Sequence, residues 1–134
     1  MFKRMKLRTI NDIEELPSVL DVQEISLYLI QLIDILKSEN TDPIIGAETI
    51  NNLISYQGYN EQGLSNKASL KILEYIKETY NPDSKESVDW NTGNLANLTC
   101  KEAKEFMEIR LSESKSAYEK QEITESLSEI EIKT

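Results

Sequence analysis

The chain has 134 residues, which is enough for one folded domain and too few for two independent cores. It contains no histidine, one cysteine and four glycines, so imidazole catalysis, intrachain disulfides and glycine-rich phosphate loops are excluded. A formal net charge of −9 argues against nucleic-acid binding, because affinity for phosphate backbones comes from basic residues.

We expect neither a secretory signal nor a membrane span. The basic N-terminus lacks a continuous apolar segment and a cleavage site, and no apolar run reaches the ~20 residues that a membrane span needs. We therefore expect a cytoplasmic protein that is a single all-α domain over 1–134. Positions 1–11 and 131–134 are expected to be flexible.

Prolines and glycines divide the chain into segments whose apolar residues recur at helical spacing, which predicts six helices and no strand. The first helix covers about 21–37 and opens with Asp21 and Glu24 at capping-box spacing. Its apolar surface is broad, which predicts neighbours on two sides. The second helix starts with Asp42 as N-cap and Pro43 in the first turn, and Gly58 ends it.

The third and fourth helices follow the Gly58–Gly63 loop. The third covers 65–80, and Asp83 with Glu86 has the capping-box spacing that begins the fourth. The fourth helix contains a glycine and several polar residues, and we expect it to be the weakest of the middle four.

The last two helices have different characters. The fifth begins with Thr99 as N-cap and Glu102 at capping-box spacing, which puts Cys100 in the first turn. The helix dipole could lower the pKa of that thiol. Because there is no histidine partner and Glu102 is close by, a plain small residue at a helix start is the favoured explanation for Cys100. The sixth helix, about 114–130, is strongly polar, as expected for a terminal helix packed on one side.

A short internal repeat favours stacked helix pairs. Leu64-Ser65-x-Lys67 recurs 34 positions later as Leu98-Thr99-x-Lys101, a period typical of helix-turn-helix repeats. The predicted fold is therefore three antiparallel hairpins that pair helices one with two, three with four and five with six. They would form a short HEAT-like stack, and an irregular helical bundle is the alternative.

Two glutamate pairs are the candidates for catalysis. Glu105-x-x-Glu108 and Glu122-x-x-Glu125 could hold Mg²⁺, which prefers oxygen ligands. The spacing resembles the ExxE…ExxD motif of all-α nucleotide pyrophosphohydrolases of the MazG type, but the closing aspartate is absent. On so acidic a chain, such pairs are also typical of a solvated helix face. We expect no catalytic residue, no metal ligand and no cofactor, and keep the Mg²⁺-dependent hydrolase as the alternative.

A binding surface is predicted where acidic and aromatic residues would share one side of the stack. The acidic residues come together if the second helix of each hairpin lines a common face, and exposed aromatic residues supply typical interface anchors. The alternative is an acidic surface that serves only solubility. The predicted partner-binding residues are Glu48, Tyr59, Asp89, Trp90, Asn94, Glu119, Glu122 and Glu125.

In its size, acidic balance and Leu-Ser/Thr-x-Lys helix starts, the chain resembles the immunity proteins of bacterial toxin systems, including contact-dependent growth inhibition. Several of those families are small helical-repeat proteins. The resemblance implies a non-enzymatic inhibitor whose acidic face docks on a basic toxin domain. A helical adaptor or regulatory subunit that binds a protein in the same way is a further possibility.

Overall fold

The computed structural model describes residues 7–16, 22–55 and 63–133, and these contain helices and no strand. The all-α prediction with six helices is confirmed. A short 3-10 helix that the sequence did not predict precedes them. The elements are the 3-10 helix Ile10–Glu15, α1 Val22–Ser38, α2 Pro43–Ile54, α3 Asn66–Thr79, α4 Lys85–Leu95, α5 Lys101–Glu113 and α6 Ala117–Lys133.

The starts of α2 and α3 were predicted correctly, that of α2 from its N-cap. The Asp42 carboxylate accepts the backbone N–H groups of Ile44 and Ile45 at 2.9 and 3.3 Å, and Pro43 opens α2. The hydroxyl of Ser65 accepts the N–H of Ala68 at 3.1 Å and begins α3. These interactions are local, so the sequence is enough to reveal them. The α2 helix ends at Ile54, and the predicted stop at Gly58 lies outside the described residues.

The predicted starts of α4, α5 and α6 were wrong by one to three residues. Ser84 rather than Asp83 caps α4, and α6 begins after Ser116, whose hydroxyl accepts the N–H of Glu119. Thr99 does not cap α5, because its hydroxyl donates to the carbonyl of Leu64 at 2.9 Å. Cys100 consequently occupies the N-cap position. A hydroxyl near a helix start can bond elsewhere in the fold, and sequence spacing does not show that choice.

The six helices form two layers of three. The helices α1, α3 and α5 lie side by side in one layer, and α2, α4 and α6 lie side by side in the other. Within a layer neighbouring helices run in the same direction. In the first layer, Asp34 on α1 forms an ion pair with Lys71 on α3. Further along both helices, Lys37 on α1 forms an ion pair with Glu78 on α3, so the two helices run in the same direction. The chain alternates between layers, as a stack of hairpins requires.

One pairing was predicted incorrectly. The α3 and α4 helices are not among the main packing pairs of the described chain. Instead α3 packs on α1 and α5, and α4 packs on α2 and α6. Each middle helix has two neighbours in its own layer.

The predicted repeat corresponds to a repeated contact. Ser26 Oγ on α1 accepts the N–H of Ser65 at 2.9 Å, and Ser69 Oγ on α3 accepts the N–H of Thr99 at 3.0 Å. A buried serine thus holds the start of the next helix of its layer in both cases. The corresponding position of α5 is Ala103, which has no hydroxyl, and α5 is the last helix of that layer.

The described residues near the two ends of the chain belong to the fold, and the expected flexibility of 1–11 and 131–134 stays a prediction. Leu7 is buried, and its N–H donates to Oε1 of Gln31 on α1 at 2.7 Å. Residues 7–11 are therefore packed against the fold, whereas 1–6 lie outside the described residues. At the other end α6 continues to Lys133, and Thr134 lies outside the described residues.

The core lies between the layers and is centred on α1. The predicted two-sided burial of this helix is confirmed by six fully buried side chains, Ile25, Tyr28, Leu29, Leu32, Ile33 and Leu36. No helix in the described part of the chain is long and apolar enough to cross a membrane.

The polar residues of α4 are buried, although we expected a weakly packed helix. The amide Nδ2 of Asn94 donates to the carbonyl of Ala47 at 3.0 Å, and Asn51 donates to Oδ1 of Asn94 at 3.1 Å, which joins α4 to α2. On the other side Ser126 Oγ donates to the carbonyl of Thr92 at 2.8 Å, which joins α6. These bonds fix the register of the second layer.

Candidate functional site

Three exposed or half-buried carboxylates lie on the neighbouring helices α4 and α6, near enough for the charges of two of them to influence the third. Asp89 comes from α4, and Glu122 and Glu125 come from α6. The Ser126–Thr92 hydrogen bond sets α6 against α4 so that these side chains share the outer side of the second layer. We call Asp89, Glu122 and Glu125 the acidic cluster.

The charges of the acidic cluster repel one another. The pKa of Glu122 is raised, first by partial burial and then by the negative charges of Glu125 and Asp89. The ammonium of Lys85 acts in the opposite direction but does not restore the ordinary pKa. The cluster therefore has excess negative charge that an external cation could neutralise.

Tyr118 lies within the acidic cluster. Its hydroxyl donates to Oδ1 of Asp89, and this hydrogen bond is the main reason that the pKa of Tyr118 is raised to about 12. The ammonium of Lys85 lies 5.3 Å from the centroid of its ring. Tyr118 was not among the residues predicted from the sequence to bind a partner. Its spacing from Glu122 and Glu125, four and seven positions, was the signal that it shares their face.

Trp90 and Glu48 lie in the same layer, nearer to α2. Trp90 is half-buried and comes one turn before Asn94, so it lies on the side of α4 that faces α2. Glu48 is exposed and follows Ala47, which contacts Asn94. Both remain accessible, as the predicted surface requires, but neither belongs to the acidic cluster.

Two residues predicted to bind a partner are buried, and this part of the prediction is wrong. Asn94 has an exposure of 0%, and its amide is used by α2. Glu119 has an exposure of 1% and faces α5 and the end of α3 instead of solvent. The predicted residue Tyr59 lies outside the described residues.

Glu119 is the centre of a buried polar cluster. Arg110 donates to both of its oxygens, Nε to Oε2 and Nη2 to Oε1, each at 2.9 Å, and the hydroxyl of Tyr80 also donates to Oε2. Burial opposes the charge of Glu119, but the hydrogen bonds from Arg110, Ser114 and Tyr80 outweigh it and hold its pKa below the ordinary value. This buried cluster, which is separate from the acidic cluster, joins the α5–α6 turn to the end of α3.

A cavity of about 350 Å³ lies beside this buried cluster, and its lining carries both signs of charge. Arg110 and Glu119 form an ion pair with each other. The other charged lining residues, Asp83, Glu113 and Lys115, carry both signs, so the cavity has no clear preference for a cation or an anion. The lining residues are Pro82, Asp83, Arg110, Glu113, Lys115, Ser116 and Glu119.

The two glutamate pairs do not form a common site. Glu122 and Glu125 face α4, where Asp89 and Lys85 are the other charged groups that influence Glu122. Across residues 7–16, 22–55 and 63–133, no group of three or more histidine, cysteine, aspartate or glutamate side chains is arranged to hold a metal ion. Cys100 is buried, and burial raises the pKa of its thiol, which is the opposite of activation.

No protein-family model, curated protein or solved structure matches this chain. The candidate site is therefore identified from the geometry of the second helix layer and not from a similar protein. The residues that the structure brings together there are Asp89, Tyr118, Glu122 and Glu125, with Lys85 at their edge.

Proposed function

We propose that this protein is a cytoplasmic inhibitor that binds a basic protein through the outer side of α4 and α6. It acts by stoichiometric binding and not by catalysis. By the resemblance of the sequence to immunity proteins, the partner is a bacterial toxin domain, and binding neutralises the toxin by covering its active site or a surface next to it.

The mutual repulsion within the acidic cluster is the observation that carries the proposal. A surface used only for solubility gains nothing from bringing three carboxylates together, because spreading them over the molecule would cost less electrostatic free energy. A partner with arginine or lysine side chains would remove this repulsion on binding. The negative charges of Glu125 and Asp89 add to the effect of partial burial in raising the pKa of Glu122, which is consistent with such repulsion in the free protein.

The net charge of −9 supports the kinetic side of the same mechanism. Long-range attraction between an acidic inhibitor and a basic toxin speeds their encounter, and salt screens it over about 10 Å at 0.1 M. Half-buried aromatic side chains next to the charges, Trp90 and Tyr118, would slow dissociation. We therefore expect salt to reduce the association rate much more than it raises the dissociation rate.

The test is affinity purification from the native organism with two matched triple variants. The first, Asp89→Asn/Glu122→Gln/Glu125→Gln, removes the acidic cluster. The second, Glu74→Gln/Glu105→Gln/Glu108→Gln, removes the same amount of charge from exposed positions of the first helix layer. Association rates of the captured protein are then measured at low and high salt.

We expect one basic partner in a one-to-one complex, which the control variant keeps and the cluster variant loses. Expression of that partner alone should arrest growth, and co-expression with the inhibitor should restore it. Equal binding by both variants would refute the binding surface. A partner that is harmless when expressed alone would refute the immunity function and leave an adaptor that binds through this surface.

A further inference from the structure

The ring of Tyr118 already holds a cation of the chain itself. Lys85 Nζ lies 5.3 Å from the ring centroid, within the range over which an ammonium is attracted to an aromatic face. The hydroxyl of the same ring donates to Asp89, which fixes the edge of the ring. This position combines an aromatic face with nearby carboxylates, and Lys85 shows which sign of charge it accepts.

We infer that the face of the Tyr118 ring binds an arginine side chain of the partner, an inference that rests on the proposed function. In the free protein Lys85 occupies this position, which we call the seat, until the partner displaces it. Lys85 is exposed and has no ion pair with a described carboxylate, so moving it breaks no salt bridge there.

Arginine fits this seat better than lysine. A guanidinium is planar, stacks on aromatic faces and can donate two parallel hydrogen bonds to one carboxylate. Asp89 keeps a second carboxylate oxygen for such bonds while Oδ1 accepts from Tyr118. A nearby positive charge would also stabilise the charged form of Glu122, whose pKa is raised by partial burial and by the neighbouring carboxylates. An ammonium such as that of Lys85 can use the ring face but offers no planar pair of donors.

Binding of a hexa-arginine peptide to the purified full chain tests the inference, with hexa-lysine as the comparison. Dissociation constants are measured by NMR titration of backbone amides for wild type, Tyr118→Leu, Tyr118→Phe and Lys85→Gln. Lys120→Gln is the matched control, because it makes the same charge change at an exposed position two residues beyond Tyr118, on another side of α6.

We expect Tyr118→Leu to weaken hexa-arginine binding by about two- to five-fold, the range for an exposed cation–π contact. Tyr118→Phe keeps the ring and should bind like wild type, which also shows that a loss in Tyr118→Leu is not caused by the missing hydroxyl. Lys85→Gln should bind about two- to five-fold more tightly, because the competing cation is gone. Lys120→Gln should have a smaller effect, and hexa-lysine should respond less than hexa-arginine to the loss of the ring.

Equal affinities of Tyr118→Leu and Tyr118→Phe would overturn the seat, as would equal effects of Lys85→Gln and Lys120→Gln. The cluster variant Asp89→Asn/Glu122→Gln/Glu125→Gln separates this failure from failure of the proposed function. If that variant weakens peptide binding while Tyr118→Leu does not, the acidic surface stands and the seat is refuted. If neither change has an effect, the binding surface itself is refuted.

Discussion

Replacing Glu119 with alanine should strongly destabilise the fold, because it leaves Arg110 and Tyr80 without their shared acceptor. The Glu119 side chain is 1% exposed and the Arg110 side chain 18%, so water reaches the guanidinium only in part. Removing one partner of a buried ion pair costs about 3–5 kcal/mol. Partial hydration of Arg110 puts the expected loss near the lower end, about 3 kcal/mol, or roughly 10 °C in Tm.

The loss is measured by urea unfolding followed by circular dichroism, with Arg110→Ala and the double variant completing a thermodynamic cycle. We expect the double variant to be less destabilised than the sum of the single variants, with a coupling of about 1–3 kcal/mol. Glu122→Ala is the matched control. It makes the same change three residues further along α6 at an accessible position, and it should alter stability by no more than about 0.5 kcal/mol.

The proposed contribution of the buried ion pair fails if Glu119→Ala lowers the free energy of unfolding by less than about 1 kcal/mol, the ordinary effect of a point substitution. It also fails if the effects of Glu119→Ala and Arg110→Ala simply add. Either result would mean that the α5–α6 turn is held to α3 by apolar packing and that the buried ion pair contributes nothing net.

Three further predictions concern stability and can be checked by the same urea unfolding. The pKa of Glu119 is lower in the folded state than the ordinary carboxyl pKa of about 4.3. The charged Glu119 therefore stabilises the folded protein above that ordinary pKa, and this contribution disappears as the pH falls through the lower folded value. Glu119→Ala should consequently lose less stability on acidification than wild type. Asn94→Ala should cost about 1–3 kcal/mol by breaking the bonds between α4 and α2, and a loss under 0.5 kcal/mol would contradict their role. Gly46→Ala should cost about 1–3 kcal/mol, because the added Cβ overlaps the hydroxyl of Tyr75. Gly93→Ala, whose Cβ meets nothing closer than 3.5 Å, should gain up to about 1 kcal/mol. A gain at both positions would show that helix propensity, and not the available space, decides the outcome.

The helix starts show how far sequence reasoning reaches. The Asp42–Pro43 pair and Ser65 act on backbone groups two or three residues away, so spacing alone identified them. Thr99 has the same local signature, yet its hydroxyl bonds to Leu64, which belongs to a different loop. A cap competes with every other partner that the fold brings near, and the sequence does not contain that competition.

The candidate site shows the same division. The sequence predicted that the second helices of the hairpins lie side by side and that Asp89, Glu122 and Glu125 share their outer surface. It also assigned Asn94 and Glu119 to that surface, and both are buried. It did not assign Tyr118, because an aromatic residue at helical spacing is typical of a core position.

The sequence by itself determined the helical class, the approximate helix bounds, the repeat and the acidic balance, because these depend on periodicity, caps and composition within a few residues. Only the tertiary structure decided which glutamate of α6 is buried and which is accessible. Glu119 and Glu122 are chemically identical and three positions apart, but the first faces Arg110 and the second faces Asp89. The pKa of each carboxylate depends on its burial and on the groups that surround it, and both are fixed only once the layers have packed.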